Sequence, residues 1–208
     1  MKGDFIAMPE NNWKRLWSDR SADEAVLRSG DPETIFMELK RSSGYDVVKD
    51  QLSYQAFLVW YSDIKEKLCR HASVDGTIQS VFEVGCGSGA NLFLFERDGF
   101  RCGGLDYSAK MLSCAKRVLR TADIRCADAC DLPVEPQYDA VISASVFGYF
   151  TDTAYAETVL EKMCQKAWYS IGILDIADEE KREAIFAVSQ AEHPGLRGAL
   201  QGPAAAVL

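Results

Sequence analysis

Residues 82 to 92 read FEVGCGSGANL, with Gly85, Gly87 and Gly89 falling within five positions directly after an apolar run. Glycine in a turn between strand and helix permits φ > 0 and lets a ligand approach the backbone where a Cβ would block it. Glu83 stands two residues before the first glycine, so the turn has a carboxylate beside it. Cys86, between two glycines, fits by its small size, and no histidine lies near it in sequence to activate its thiol. Further along are Asp106 in RCGGLDY, Asp128 in ADA and Ser143 in YDAVISAS. A bare backbone turn with carboxylates nearby suits a nucleotide-like ligand whose hydroxyls and cationic groups need acceptors. Acid–base equipment is sparse: of the two histidines, His71 sits at the end of a helical run, where a cation suits the dipole, and His193 in AEHPG reads as a helix stop.

Such residues need a scaffold that brings them to one edge. From residue 75 onward, SVFEVGC, RCGGLDY, IRCADA, YDAVISAS and WYSIGILDI read as strands. Between them, ANLFLFERDG reads as a helix ending at Gly99, and SAKMLSCAKRVLR as a helix capped by Ser108 with Met111, Leu112 and Ala115 on one face. A third helix is expected from Thr151 to about Lys166. Strands alternating with such helices give βαβ units and a mostly parallel sheet with helices on both faces, an α/β, Rossmann-like doubly wound fold. Ligands of these sheets bind outside the carboxyl ends of the strands, which aligns Gly85, Asp106, Asp128 and Ser143 along one edge.

Residues 1–74 read as helical. In SADEAVLRSG, Ser21 is the expected N-cap, with Glu24 completing a capping box and Gly30 as the stop. DPETIFMELKRSSG repeats the plan with Asp31 as cap, Pro32 at the first helical position and Gly44 as the stop. From about Asp50 to Arg70, Leu52, Ala56, Val59, Trp60, Ile64 and Leu68 recur at spacings of three and four, which predicts one amphipathic helix. The segment also carries Trp13, Trp17, Phe36, Tyr45, Tyr54 and Tyr61, most of them expected in helix packing and some in a lid. The organisation expected is a helical cap over 1–74, a core over 75–192 and an irregular tail over 193–208, all within one domain.

Two patterns compete for the glycine turn. As G-x-G-x-x-A it fits a dinucleotide fingerprint, with Asp106 about 20 residues on to bind a ribose, and an NAD-dependent oxidoreductase is the alternative this raises. As E-x-G-x-G-x-G, Glu83 to Gly89, it resembles motif I of the class I S-adenosylmethionine (SAM)-dependent methyltransferases. Glu83 favours the second pattern, because an anion repels a pyrophosphate and attracts an ammonium. Gly89 belongs to the second pattern and is not required by the first. The strand ending in ADA and the strand YDAVISAS resemble the family's third- and fourth-strand motifs. No Tyr-x-x-x-Lys or similar hydride-transfer apparatus is present.

The resemblance covers residues 80 to 176. It implies that Gly85, Cys86, Gly87 and Gly89 line the methionine part, and that Asp106 takes the two ribose hydroxyls. Tyr107 and Met111 then pack near the adenine, Asp128 and the Ala129 N–H read the adenine edge, and Ser143 approaches the sulfonium. Tyr149, in VFGYFTD after the fourth strand, is the candidate for the acceptor pocket, with Asp152 nearby. The family pattern has two more strands after WYSIGILDI. LRGALQGPAAAVL has neither the length nor the alternation for them, so the last two strands of the usual seven are expected to be missing, with one sheet edge exposed. Missing strands also raise a non-catalytic, methyltransferase-like partner protein as an alternative.

The totals narrow the function classes. A chain of 208 residues with 48% apolar content is expected to build one core. A formal net charge of −8 disfavours nucleic acid, whose binding relies on Lys and Arg displacing counterions. The seven cysteines are scattered, without a C-x-x-C pair, so neither a disulfide frame nor a metal site is suggested. No apolar run approaches a membrane span, and the N-terminus lacks signal-peptide character, so a soluble, cytoplasmic enzyme acting on a small-molecule acceptor is expected.

Overall fold

A computed structural model of the protein describes residues 17–45, 53–70 and 77–175. The run SVFEV forms β1 (Ser80–Val84), buried at every position, as a central strand covered on both faces must be. Its side chains alternate, Val81 entering one apolar cluster while Phe82 and Val84 enter another. Around it β2 (Arg101–Asp106), β3 (Asp123–Cys126), β4 (Tyr138–Ala144) and β5 (Ala167–Leu174) complete a five-stranded sheet in the order β3-β2-β1-β4-β5. Every pairing is parallel. The order reverses at β1, with β2 on one side and β4 on the other, which opens a crevice at the carboxyl end of β1.

Helices α1 (Glu24–Leu27), α2 (Pro32–Ser42), α3 (Tyr54–Cys69), α4 (Ala90–Arg97), α5 (Ala109–Val118) and α6 (Thr153–Lys166) cover both faces. Phe36, Leu39, Phe57, Ile64, Leu92 and Leu112 pack with Val81, Ala140 and Ile142 on one face, so α2 to α5 share it. Val159 and Met163 of α6 pack with Phe82, Val84, Leu105 and Val141 on the other. This is the Rossmann-like doubly wound architecture expected from the alternation.

Helix starts follow the expected chemistry with one correction. Asp31 accepts from the Thr34 N–H at 2.9 Å and Ser108 from Met111 at 3.3 Å, each cap worth about 1 kcal/mol; the helix expected from Thr151 starts at Thr153, with Asp152 as its N-cap accepting from Tyr155 N–H at 2.8 Å. Ser21 is not a cap: α1 is a single turn whose N-cap is Asp23, accepting from Ala25 N–H at 2.8 Å, while the Ser21 carbonyl receives Arg41. Glu24 consequently occupies the first helical position and forms no capping box. Val59, expected on the apolar face of α3, is 72% exposed, because the buried stripe runs through Phe57, Tyr61, Ile64 and Leu68.

The third strand is shorter than its sequence run. β3 ends at Cys126 after the Ala127 N–H reaches Asp106, and Asp128 then caps a single 3-10 turn, Ala129–Asp131, by accepting from Cys130 N–H. β5 is outermost among the described strands, with Trp168 and Tyr169 largely exposed. The start of the α3 run at Asp50 and Leu52, together with Trp13, His71, His193 and the tail, lies outside the described residues.

Candidate active site

The glycine turn between β1 and α4 is held by its own backbone. Gly85, Gly87 and Gly89 have φ of 75°, 51° and 81°, the left-handed region that residues with a Cβ avoid. At Gly85 a Cβ would also overlap Val146 Cγ2, so the segment following β4 closes directly on the turn. The N–H groups of Gly85 and Cys86 both donate to the Leu105 carbonyl, at 2.8 and 3.0 Å, and that of Gly89 donates to Cys86 at 2.8 Å. Gly87 N–H donates to Asp106 Oδ2 at 2.9 Å. These four amide donors are engaged inside the protein, so the turn presents carbonyl oxygens and bare Cα surface. Such a lining suits a cationic ligand, and none of these four amides is free to donate to a pyrophosphate.

Asp106, at the tip of β2, joins the turn to the next helix. Its second oxygen accepts from Ser108 N–H at 2.8 Å. Burial pushes its carboxyl up, and the Ser108 and Gly87 donors pull against that rise. Two backbone bonds fix the carboxylate while leaving acceptor capacity for hydroxyls.

Glu83 lies on the face of β1 that meets α2 and α4, only 2% exposed. Asn91 of α4 donates to its Oε1 at 2.6 Å, and Oε2 has no partner among the described residues. Lys40 of α2, 4% exposed, donates to the Asn91 side-chain oxygen at 3.0 Å. Burial pushes Glu83 up to about 7, against the opposing Asn91 donor and Lys40 charge, and pulls Lys40 down to about 8 despite Glu83 and Asp175. An orphaned, buried carboxylate oxygen is costly unless something completes it.

The remaining candidates surround this centre. Met111 is buried, its Cε 3.6 Å from where a Cβ on Gly87 would stand, and half-buried Tyr107 follows Asp106. Asp128 and Ala129 sit past the tip of β3, and the Tyr155 hydroxyl donates to Asp128. Ser143 is fully buried and its hydroxyl donates to the Val84 carbonyl at 3.0 Å, so that side chain ties β4 to β1. Tyr149, 39% exposed in the 3-10 turn Phe147–Tyr149, meets Trp17 edge to face at 5.9 Å. Trp17 therefore lies over the carboxyl edge of the sheet, its carbonyl also accepting from Ser108 Oγ. Cys86 is buried, and burial drives its thiol well above the usual range, which leaves it inert.

Sequence reasoning missed Lys40, Asn91, Ser145 and Asp175. Lys40 had a signal: it falls four residues after Phe36 and one after Leu39, on the apolar stripe of α2. Ser145 and Asp175 had none. Both are non-glycine residues with φ of 57°, at the ends of β4 and β5, joined by a 2.7 Å bond from Ser145 Oγ to Asp175 Oδ2. A surface depression of about 620 Å³, lined by Gln79, Asp98, Arg101 and Asp139, lies at the opposite end of the strands and touches none of these groups.

Residues 82–166, from Glu83's neighbour through α6, match the family model described as a methyltransferase domain. This segment resembles a methyltransferase domain. Solved structures share its fold. The plantazolicin methyltransferase BpumL, in complex with a pentazolic desmethylPZN analogue and SAH, is 17% identical, covers 93% of this chain and 72% of its own, and has a TM-score of 0.58. The magnesium protoporphyrin IX methyltransferase ChlM of Synechocystis PCC 6803, with bound SAH, is 20% identical over 79% of this chain and 81% of its own, with a TM-score of 0.51. Against DesVI of Streptomyces venezuelae the identity is 22%, the TM-score 0.49, and this chain spans 66% of itself but 53% of that protein. No curated protein matches the chain in sequence. Within the matched segment, the glycine turn, Asp106 and Asp128 all stand at the carboxyl edge of the sheet. The described residues contain no helix long and apolar enough to cross a membrane.

Proposed function

We propose that the chain transfers a methyl group from S-adenosylmethionine to a small-molecule acceptor. The observation that carries this is the combination at the glycine turn: engaged amides, bare Cα surface and the orphaned Glu83 oxygen. In this reading the ligand's ammonium completes Glu83 and its methionine part lies along Gly85, Cys86, Gly87 and Gly89. Asp106 accepts from the two ribose hydroxyls, Tyr107 and Met111 flank the adenine, and Asp128 and Ala129 read its edge. Ser143, turned toward Val84, acts from beneath by fixing the tip of β4. A dinucleotide finds no free donor among these four amides for its pyrophosphate, which disfavours the oxidoreductase alternative.

The bound cofactor supplies a methyl group on a sulfonium, an electrophile that needs no metal and no redox partner. The chain's own part is alignment and exclusion of water, and alignment alone is worth about 7 to 11 kcal/mol of barrier. The acceptor atom contributes the electron pair of the new bond as the methyl–sulfur pair returns to sulfur. Trp17 and Tyr149 form an aromatic wall at the mouth, with Tyr149 lining the acceptor side. Acidic composition and two fold neighbours named for plantazolicin and magnesium protoporphyrin IX support a small acceptor. Incubation with methyl-labelled cofactor and a fractionated cell extract tests this. Label is expected in the low-molecular-weight fraction, and label confined to protein or nucleic acid contradicts it.

A further inference from the structure

The C-terminal turn of α2 is fastened to the glycine turn and the start of α4 through three hydrogen bonds. Ser88 Oγ donates to the Leu39 carbonyl at 2.8 Å, Ser43 and Ser88 hydroxyls lie 2.8 Å apart, and Lys40 reaches Asn91. The Lys40 ammonium is buried yet forms no ion pair with a carboxylate among the described residues. It is surrounded instead by the rings of Tyr45, Phe57, Trp60 and Phe36, at 4.8, 5.0, 5.0 and 5.8 Å from its Nζ. Ring faces stabilise a desolvated cation without occupying its hydrogen-bond donors. The donor directed at Asn91 fixes the amide's orientation: its oxygen faces Lys40, so its NH₂ must face Glu83.

We propose that Lys40 and Asn91 are positioning residues for the cofactor's ammonium, Lys40 fixing the Asn91 amide so that Asn91 holds one Glu83 oxygen and leaves the other unpaired for the cofactor's cation. This rests on the S-adenosylmethionine reading. Lys40 also opposes protonation of Glu83, since a buried carboxylate without a nearby cation takes up a proton more readily. The groups that act on Glu83 are Lys40 from α2, Asn91 from α4 and Asp106 from β2, with Asp175 at the end of β5 acting on Lys40. Cys86 and Cys102 also feel Glu83, but burial keeps both thiols protonated. The sign follows: ammonium binding requires the carboxylate, so affinity rises as pH rises through the Glu83 titration. Loss of Lys40 moves that rise to higher pH.

S-adenosylhomocysteine and 5′-methylthioadenosine share the nucleoside and thioether and differ by the amino-acid end, so calorimetric titration with both isolates the ammonium. Lys40→Met is expected to weaken S-adenosylhomocysteine about tenfold at about pH 6.5 and less than about threefold at about pH 9, one displaced titration unit being tenfold. Binding of 5′-methylthioadenosine is expected to stay within about twofold of the parent. In a Glu83→Gln background the same Lys40→Met change should have no further effect. Equal losses for the two ligands, a loss independent of pH, or a full Lys40→Met loss in the Glu83→Gln background would each overturn the proposal. Should Lys40→Met fail to fold by circular dichroism, Asn91→Ala is expected to show the same ligand selectivity and Glu83 dependence, and equal losses there overturn it. A parent that binds neither ligand overturns the cofactor reading itself, a result distinct from a parent that binds both and ignores Lys40.

Discussion

Asp106 and Glu83 divide the ligand's polar groups between them, and each gives a distinct signature when changed. Asp106→Ala removes an acceptor of two hydroxyls in a mostly buried position, and charge-assisted bonds of this kind are worth about 1.5 to 3 kcal/mol. Affinity for S-adenosylmethionine is therefore expected to fall by roughly ten- to a hundredfold by calorimetry. An unchanged affinity would remove Asp106 from the ribose contact. Glu83 instead controls how the unliganded protein responds to pH. Its folded carboxyl is pushed up to about 7 by burial, so the native state binds the proton more tightly than the unfolded chain does. That contribution to stability is complete below the ordinary glutamate range and is lost as pH rises through about 7. Glu83→Gln removes the charge in place, so in thermal melts the variant is expected to gain on the parent as pH increases from about 5 to about 8. A constant difference across that range would contradict the buried, unpartnered state of Oε2.

At the scale of elements, the glycine turn joins three strand ends. Gly85 combines a φ of 75° with the overlap of any Cβ on Val146, so Gly85→Ala strains the backbone and also drives apart the ends of β1 and β4. The left-handed conformation alone costs about 1 to 2 kcal/mol, which for a domain of this size is a fall in melting temperature of roughly 2 to 8 °C. Binding should fall further, because the displaced Val146 segment borders the methionine part of the site. Strand positions and most helix starts were legible because they depend on local signals: continuous apolar runs, Asp31 with Pro32, Ser108 and the glycine stops; the order of the strands in the sheet carries no such local signal. Asp23 displaced Ser21 because two cap-forming side chains stood two residues apart, and tertiary contact of Ser21 with Arg41 decided between them. The site's deeper members were illegible for a related reason. The Lys40–Asn91–Glu83 chain joins residues up to 51 positions apart, from Lys40 to Asn91, and no spacing rule spans that distance. Ser143, at the end of β4, donates its hydroxyl to the Val84 carbonyl, a cross-strand tie that its place in the sequence does not reveal.

For the whole molecule, the crevice at the carboxyl edge lies where the two halves of the sheet diverge, and the segment around Trp17 rests across it through Ser108 and Tyr149. A ligand that bridges β1, β2 and these aromatics binds the folded state alone. At a concentration of about a hundred times its dissociation constant it is expected to add about 2.7 kcal/mol, and so to raise the melting temperature by roughly 5 to 11 °C. Trp17→Ala should reduce this gain if the segment closes on the ligand, and an undiminished gain would place the segment outside the site. The most direct test of the central claim, that the glycine turn and its two carboxylates hold a sulfonium-bearing nucleoside, is calorimetric titration of the parent with S-adenosylmethionine alongside NAD. One saturable site of micromolar affinity for S-adenosylmethionine, with no heat from NAD, is expected. Binding of NAD, or no binding of S-adenosylmethionine by the folded protein, would contradict it.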